Sequence, residues 1–153
     1  MVSNMEWARQ LEEIYRNAPI RKTLNSDIWF DKELRAHFKI NTIPDLFHPL
    51  ADVHGGIIAA LIDNAVWYTA AAQYPNRWLV TTEFHTYLLK PAKGSNLHSY
   101  GELIYKGKTQ AVAKAKVERD DGTLVAYGTG TLVVTNIEVD IEKVKELIAK
   151  IKK

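Results

Sequence analysis

The sequence contains no cysteine, and this absence excludes several kinds of site at once. Disulfide scaffolds, cysteine-ligated zinc and thiol nucleophiles are all ruled out. An excess of one charge is also lacking, because 20 Lys and Arg residues nearly balance 18 Asp and Glu residues, for a formal net charge of +2. So small an excess gives no reason to expect a nucleic acid as a partner.

No apolar stretch of the sequence is long enough to cross a membrane. The longest covers residues 57–73, fewer than the about 20 that a spanning helix needs, and it contains an acid, Asp63. The first residues also lack the basic region and the apolar run of a secretion signal. We therefore expect a cytoplasmic protein that has no membrane partner.

Three common catalytic arrangements are missing as well. The sequence has neither the Gly-x-Ser-x-Gly elbow of serine hydrolases nor the glycine-rich fingerprint of dinucleotide-binding proteins. His48, Asp52 and His54 lie close together along the chain, but their spacing matches no recognised set of metal ligands. We expect no metal site.

Helices are predicted at both ends of the chain, whose 153 residues suit one domain. A capping box at residues 3–6 begins the first helix, and the apolar residues behind it keep helical spacing up to a proline. Asp140 caps a second amphipathic helix, over residues 140–153. We predict a single domain over residues 1–153, with its core at about residues 23–135.

Alternating polar and apolar residues predict a series of strands between these helices. The first two strands form a hairpin within residues 23–40, and four more follow at residues 78–89, 97–105, 110–119 and 124–135. The connections between the last four are hairpin-like and too short for parallel crossovers. We therefore expect an antiparallel meander.

Small residues on two of these strands indicate what the sheet packs against. Ala111 and Ala113 share one face of their strand, and Gly128 and Gly130 share one face of the next. Such a face admits a thick apolar object at close range, and the helix over residues 57–73 is the only one available. We predict an α+β fold in which a curved antiparallel sheet wraps around one long central helix, with extra helices at both termini.

Asp63 lies inside this apolar helix, where no charge on its own face offsets it. The residues three and four positions away are all apolar: Ala59, Ala60, Val66 and Trp67. An ionised carboxylate without a partner is costly there, so it has to be paired, hydrogen-bonded, neutralised or placed in a pocket. Burial is expected to raise its pKa. A structural role, at a loop or a subunit contact, stays open beside a catalytic one.

Gly55 and Gly56 begin the same helix and expose backbone N–H groups to a ligand. The helix dipole lies behind them, and the arrangement suits an anion or a developing oxyanion, although such a pair is also common in tight turns. Asp63 is about 12 Å from Gly55 along one helix, too far for both to act on one carbonyl. If they cooperate, a second subunit supplies its Asp63, which predicts a dimer with two shared sites.

Several stretches of the chain resemble the hot-dog-fold acyl-CoA thioesterases, in the superfamily of the 4-hydroxybenzoyl-CoA and phenylacetate-pathway enzymes. They are residues 54–56 (HGG), 60–65 (ALIDNA), 84–91 (FHTYLLKP), 106–108 (KGK) and 121–134 (DGTLVAYGTGTLVV). The resemblance implies the hot-dog fold, hydrolysis of an acyl-CoA thioester, and a homodimer or a dimer of dimers (homotetramer). It implies no cofactor, because coenzyme A is part of the substrate.

The resemblance also implies a role for each matching residue. The Gly55 amide polarises the thioester carbonyl, and His54 shapes the turn. Asp63 of the other subunit is the nucleophile or the base that activates water. The lysines of the matching loops are candidates for binding the phosphates of coenzyme A. Substrate contacts are implied at Gly56, Asn64, Lys90, Lys106 and Lys108.

Two positions depart from the family pattern. His48 stands where the family has Asn or Gln, and it can still donate a hydrogen bond or titrate within the site. Val80 stands where related enzymes often carry Ser or Thr, and Thr81 and Thr82 are the candidates to replace it. A second interpretation therefore stays open, a non-catalytic acyl-CoA binding or sensing protein on the same fold. A third, a dehydratase of hydroxyacyl thioesters, fits the glycine turn and Asp63 less well.

The sequence does not specify the acyl group. Aromatic residues in or near the central helix are candidates to line an acyl pocket, and equally candidates for the core; they are Trp67, Tyr68, Phe84 and Tyr87. The C-terminal helix lies outside the resemblance, and we expect it to cover a sheet edge or to assist assembly.

Overall fold

The computed structural model describes residues 1–151, which form helices at both ends and a sheet with a central helix between them. The elements are α1 (Asn4–Asn17), α2 (Pro19–Thr23), β1 (Ser26–Phe30), β2 (Ala36–Ile40), α3 (Gly55–Ala71), β3 (Arg77–Leu88), β4 (Leu97–Lys106), β5 (Gln110–Arg119), β6 (Leu124–Glu138) and α4 (Ile141–Ile151). The last two residues of the predicted C-terminal helix, 152 and 153, lie outside the described residues. None of these helices is long and apolar enough to span a membrane.

The strands form one antiparallel sheet in the order β1-β2-β4-β5-β6-β3. The antiparallel pairing is confirmed, but the meander is wrong at β3, which pairs with β6 and not with β4. Residues 89–96 connect β3 to β4 across the ends of β6 and β5. Three strand spacings amount to about 14 Å, which so short a segment can bridge because each extended residue spans about 3.4 Å. The length of the connection excluded a parallel crossover, but it did not require adjacent strands.

The central helix α3 lies very close to the sheet at the small residues. A Cβ atom at Gly128 would lie 2.7 Å from Ile62 Cγ2, and one at Gly130 would lie 2.7 Å from Val66 Cγ1. The alanine face of β5 is fully buried beneath the same helix. The predicted α+β hot-dog fold, a curved sheet around one long helix, is therefore confirmed.

Hydrogen bonds from two tryptophans fix α3 at its C-terminal half. Trp67 Nε1 donates to the Leu79 carbonyl of β3 at 2.9 Å, and Trp7 Nε1 of α1 donates to the Ala71 carbonyl at 2.9 Å. Both indole N–H groups are buried, so these bonds satisfy donors that would otherwise be costly. They attach α1 and β3 to the helix that carries Asp63.

The terminal helices pack on each other. The predicted capping box of α1 is present, and Asp140 Oδ1 caps α4 by accepting from Lys143 N at 2.8 Å. The α4 helix lies against α1, where Lys145 Nζ is 3.0 Å from Glu13 Oε1. This helix therefore covers α1, an arrangement that the sequence did not predict. The short helix α2 was also not predicted; Pro19 begins it, at a position that proline favours.

Candidate active site

His54 caps α3 and determines which backbone amide stays free. Its Nδ1 accepts a hydrogen bond from Gly56 N at 2.8 Å, and its carbonyl accepts from Ile57 N at 2.9 Å. The Gly55 N–H donates no hydrogen bond within residues 1–151. The first amide of the helix is therefore available to a ligand, with the positive end of the helix dipole behind it.

A cleft of about 360 Å³ opens beside this amide. We call it the Gly55 cleft; its lining includes His48, Gly55, Ile58, Leu88 and Lys90. A Cβ atom on Gly55 would lie 2.8 Å from Leu88 Cδ1, so any larger residue displaces that side chain and narrows the cleft. The structure thus brings together three residues that the sequence singled out, an amide donor, an imidazole and an ammonium group.

His48 is oriented by bonds to its own loop. Its backbone N donates to the Asp52 carbonyl at 2.8 Å, and its Nδ1 accepts from Leu50 N at 3.1 Å. With Nδ1 used as an acceptor, the neutral imidazole carries its proton on Nε2. Nε2 is therefore the ring atom that can donate a hydrogen bond.

Asp52 holds the loop that closes the Gly55 cleft, a role that the sequence analysis missed. Its carboxylate accepts from Gly94 N at 2.9 Å, Lys93 N at 3.0 Å and Val53 N at 2.8 Å. Burial opposes its ionisation, but these bonds outweigh burial and lower its pKa. The signal that could have revealed it is the Lys93-Gly94 turn, whose two amides need an acceptor.

Residues 1–151 contain no cluster of three or more potential metal ligands.

Asp63 is half-buried on α3, and within residues 1–151 its carboxylate has one hydrogen-bond partner, on β3. Thr81 Oγ1 donates to Asp63 Oδ1 at 3.0 Å. Burial raises the pKa of the Asp63 carboxyl above its ordinary value, and the bond from Thr81 opposes this only in part. Thr82 Oγ1 instead donates to the Thr131 carbonyl at 3.3 Å, at a bulge between Thr81 and Glu83. Of the two candidate threonines, only Thr81 contacts the acid.

A second cleft, of about 390 Å³, surrounds this acid. We call it the Asp63 cleft; its lining includes Asp63, Asn64, Trp67, Trp78 and Thr81. Asn64 Nδ2 is buried and has no hydrogen-bond partner in the part of the chain that the structure describes. An unpaired buried amide donor is costly, so this group calls for an acceptor from a ligand or another chain.

The two clefts are separate within one chain. They share no lining residue, and the Gly55 amide and the Asp63 carboxylate are about 12 Å apart along α3. One chain therefore places an amide donor in one cleft and a carboxylate in the other.

Lys106 and Lys108 lie at the opposite end of α3 from Gly55. The Tyr74 hydroxyl, just after α3, donates to the Gly107 carbonyl at 2.7 Å and attaches their hairpin there. Lys106 Nζ lies 5.4 Å from the centre of the Tyr74 ring. Since α3 is about 24 Å long, one chain does not bring these lysines to Lys90.

Comparison with known proteins shows which family and which solved structures this chain resembles. The model of the thioesterase superfamily matches residues 50–126, half of the chain. A search of curated proteins finds no match. A thioesterase family protein from Silicibacter pomeroyi is 25% identical with a TM-score of 0.77, over 87% of this chain and 99% of its own.

Two further solved structures are similar. A Bacillus halodurans protein whose structure contains CoA is 27% identical, with a TM-score of 0.73, over 84% of this chain and 92% of its own. The Escherichia coli PaaI protein from the phenylacetic acid degradation operon is 21% identical, with a TM-score of 0.79, over 90% of this chain and 99% of its own. The PaaI likeness is one of fold.

Proposed function

The chain belongs to the thioesterase superfamily, and from this premise we propose that it hydrolyses an acyl-CoA thioester to a free acid and coenzyme A. The observation that carries the proposal is the half-buried Asp63, held by a single hydroxyl donor beside an open cleft. A carboxylate in such surroundings is poorly solvated and is therefore a stronger base than one in water. The CoA found in the similar Bacillus halodurans protein supports coenzyme A as the leaving group.

The Asp63 carboxylate is the nucleophile or the base that activates water. In either role it has to be ionised, and Thr81 stabilises the ionised form by its hydrogen bond. The Gly55 amide donates to the thioester oxygen, where negative charge develops as the carbonyl is attacked. In the same cleft, His48 Nε2 is a second donor and the Lys90 ammonium suits a phosphate of coenzyme A.

A homodimer is the arrangement that unites the amide donor and the carboxylate. One face of α3 is left uncovered by the sheet and carries small residues, Gly56, Ala59 and Ala60, in line with Asp63 and Asn64. Such a face allows a second α3 to approach closely. We propose that two α3 helices run antiparallel there, so that each Gly55 cleft faces the partner's Asp63.

The edge strand β3 supports the same dimer. Within residues 1–151 it pairs only with β6, and its other edge is open. Its exposed residues include Val80, Phe84 and Tyr87, which are 43%, 41% and 64% exposed. A long apolar edge is a template for strand pairing, and pairing β3 with the partner's β3 removes it from water. Antiparallel α3 helices also bring the partner's hairpin, with Lys106 and Lys108, toward Lys90.

The test is release of free coenzyme A from acetyl-, hexanoyl-, decanoyl-, palmitoyl- and phenylacetyl-CoA. We expect wild type to hydrolyse at least one of them, and Asp63→Asn to lower kcat by at least about 100-fold with little change in KM, because the amide cannot act as a base. Asp120→Asn, the same substitution on an exposed turn, is the matched control.

Two results would overturn the proposal. Equal turnover by Asp63→Asn and wild type would remove Asp63 from the chemistry. Acyl-CoA binding without turnover of any substrate would leave the non-catalytic binding or sensing protein in its place.

A further inference from the structure

A third cavity, of about 340 Å³, lies beneath the C-terminal helix. We call it the α4 cavity; its lining includes Ile14 of α1, Tyr68 of α3 and Val144, Leu147 and Ile148 of α4. Lys143 also lines the cavity, and its ammonium group donates a hydrogen bond to the Glu138 carbonyl at 2.8 Å. The cavity is therefore suited to an apolar occupant.

The α4 cavity is adjacent to the Asp63 cleft. Ala18, Tyr68 and Trp78 line both spaces. Tyr68 follows Asp63 by five positions, about 7.5 Å along the helix axis. An acyl chain whose carbonyl lies at Asp63 therefore reaches the α4 cavity if it extends past Trp78 and Tyr68.

The apolar face of α4 is incompletely covered. No residue of α4 is buried, and Leu147, which lines the cavity, is 49% exposed. Exposed apolar side chains around a concave apolar space favour an occupant that removes them from water. This helix also lies outside residues 50–126, the part that matches the superfamily model.

We propose that the α4 cavity holds the distal part of the acyl group and that α4 makes the protein selective for alkyl chains long enough to reach this cavity. The inference rests on the proposed hydrolysis of acyl-CoA. A cavity of about 150 Å³ holds benzene, with its six carbons, so one of about twice that volume has room for a distal alkyl segment of up to about ten to twelve carbons. Each methylene that enters is expected to improve binding about fourfold, until the cavity is full.

The first test compares two tryptophan substitutions on the same helix. Val144→Trp fills the α4 cavity, whereas Glu146→Trp adds the same side chain at an exposed position that does not line it. The measurement is kcat/KM for butyryl-, hexanoyl-, octanoyl-, decanoyl- and dodecanoyl-CoA. We expect Val144→Trp to lower the ratio of decanoyl-CoA to butyryl-CoA by at least about tenfold, and Glu146→Trp to keep the wild-type ratio.

The second test does not require turnover. Binding of free decanoate to wild type, Val144→Trp and Glu146→Trp is measured by calorimetry, and hydrogen exchange of α4 is followed with and without decanoate. We expect decanoate to slow exchange in α4 of wild type and to bind Val144→Trp at least about tenfold more weakly. Ile148→Phe, a milder filling variant, serves if Val144→Trp does not fold.

The outcomes separate the two proposals. Loss of decanoate binding in the filling variant alone, without turnover of any acyl-CoA, would support the cavity and reject hydrolysis. Turnover with the same chain-length profile in both tryptophan variants would support hydrolysis and overturn the role of the cavity. A change of oligomeric state in Val144→Trp, with no change in chain preference, would assign the cavity to a subunit contact and also overturn it.

Discussion

At the scale of single residues, the proposed chemistry depends on the surroundings of Asp63. Its apolar neighbours on α3 predicted burial and a raised pKa, and the structure agrees with both. The choice between Thr81 and Thr82 stayed open because the sequence did not determine which face of β3 meets the helix. In the structure Thr81 shares a face with the buried Leu79, two residues earlier, and Thr82 lies at a bulge.

Removing the Thr81 hydroxyl is predicted to shift the pH dependence of hydrolysis. The hydrogen bond favours the ionised carboxylate and lowers the pKa of Asp63, so Thr81→Val raises that pKa further. Activity needs the ionised acid and rises as pH increases through its pKa. The acidic limb of the pH profile of kcat is therefore expected to move to higher pH.

Thr82→Val is the control for this shift, because the Thr82 hydroxyl of wild type donates to a backbone carbonyl of β6 and not to Asp63. It should leave the acidic limb where wild type has it. An identical limb in wild type and Thr81→Val would mean that the Thr81 bond does not stabilise the catalytic ionisation.

At the scale of helices and strands, the sequence was most informative where small residues face α3. Alanine and glycine positions on β5 and β6 predicted a helix wrapped by the sheet. The partner of β3 was not predictable, because strand order depends on contacts between distant segments, and the connection at residues 89–96 fits more than one neighbour. The position of α4 was equally open, since an amphipathic pattern shows which face is buried but not against what.

Gly101→Ala is predicted to destabilise the contact between α3 and β4. The new Cβ atom would lie 2.2 Å from Thr69 Oγ1 and 2.4 Å from the Ala65 carbonyl oxygen. The Thr69 hydroxyl accepts the buried Ala36 N–H at 3.0 Å, so moving it also weakens that bond. We expect a loss of about 2–3 kcal/mol in the free energy of unfolding, measured by urea denaturation.

Gly122→Ala is the comparison for Gly101→Ala. Gly122 has open space around it but a φ of +82°, so alanine there meets backbone strain without a clash. Its expected cost is smaller, about 1 kcal/mol. Equal losses of unfolding free energy in the two variants would contradict this prediction, because they would mean that the clash with α3 adds nothing to the cost of the substitution.

At the scale of the whole molecule, the proposed reaction requires two chains. The Gly55 cleft and the Asp63 cleft of one chain are distinct, so in the proposed dimer each chain supplies one half of two sites. The spacing along α3 was readable from the sequence and predicted this separation. The α4 cavity was not, because it forms where α1, α3, β6 and α4 meet, and only the fold brings them together.

Mixing two inactive variants tests the shared site most directly. Gly55→Leu blocks the amide cleft and Asp63→Asn removes the acid, and each alone is expected to lose nearly all turnover. In a randomly mixed dimer population about half the dimers contain both variants, and each of these has one intact site out of two. Shared sites therefore predict recovery of about one quarter of wild-type activity after co-refolding. Activity no greater than that of the separate variants would contradict the account, because it would place both groups of each site in one chain.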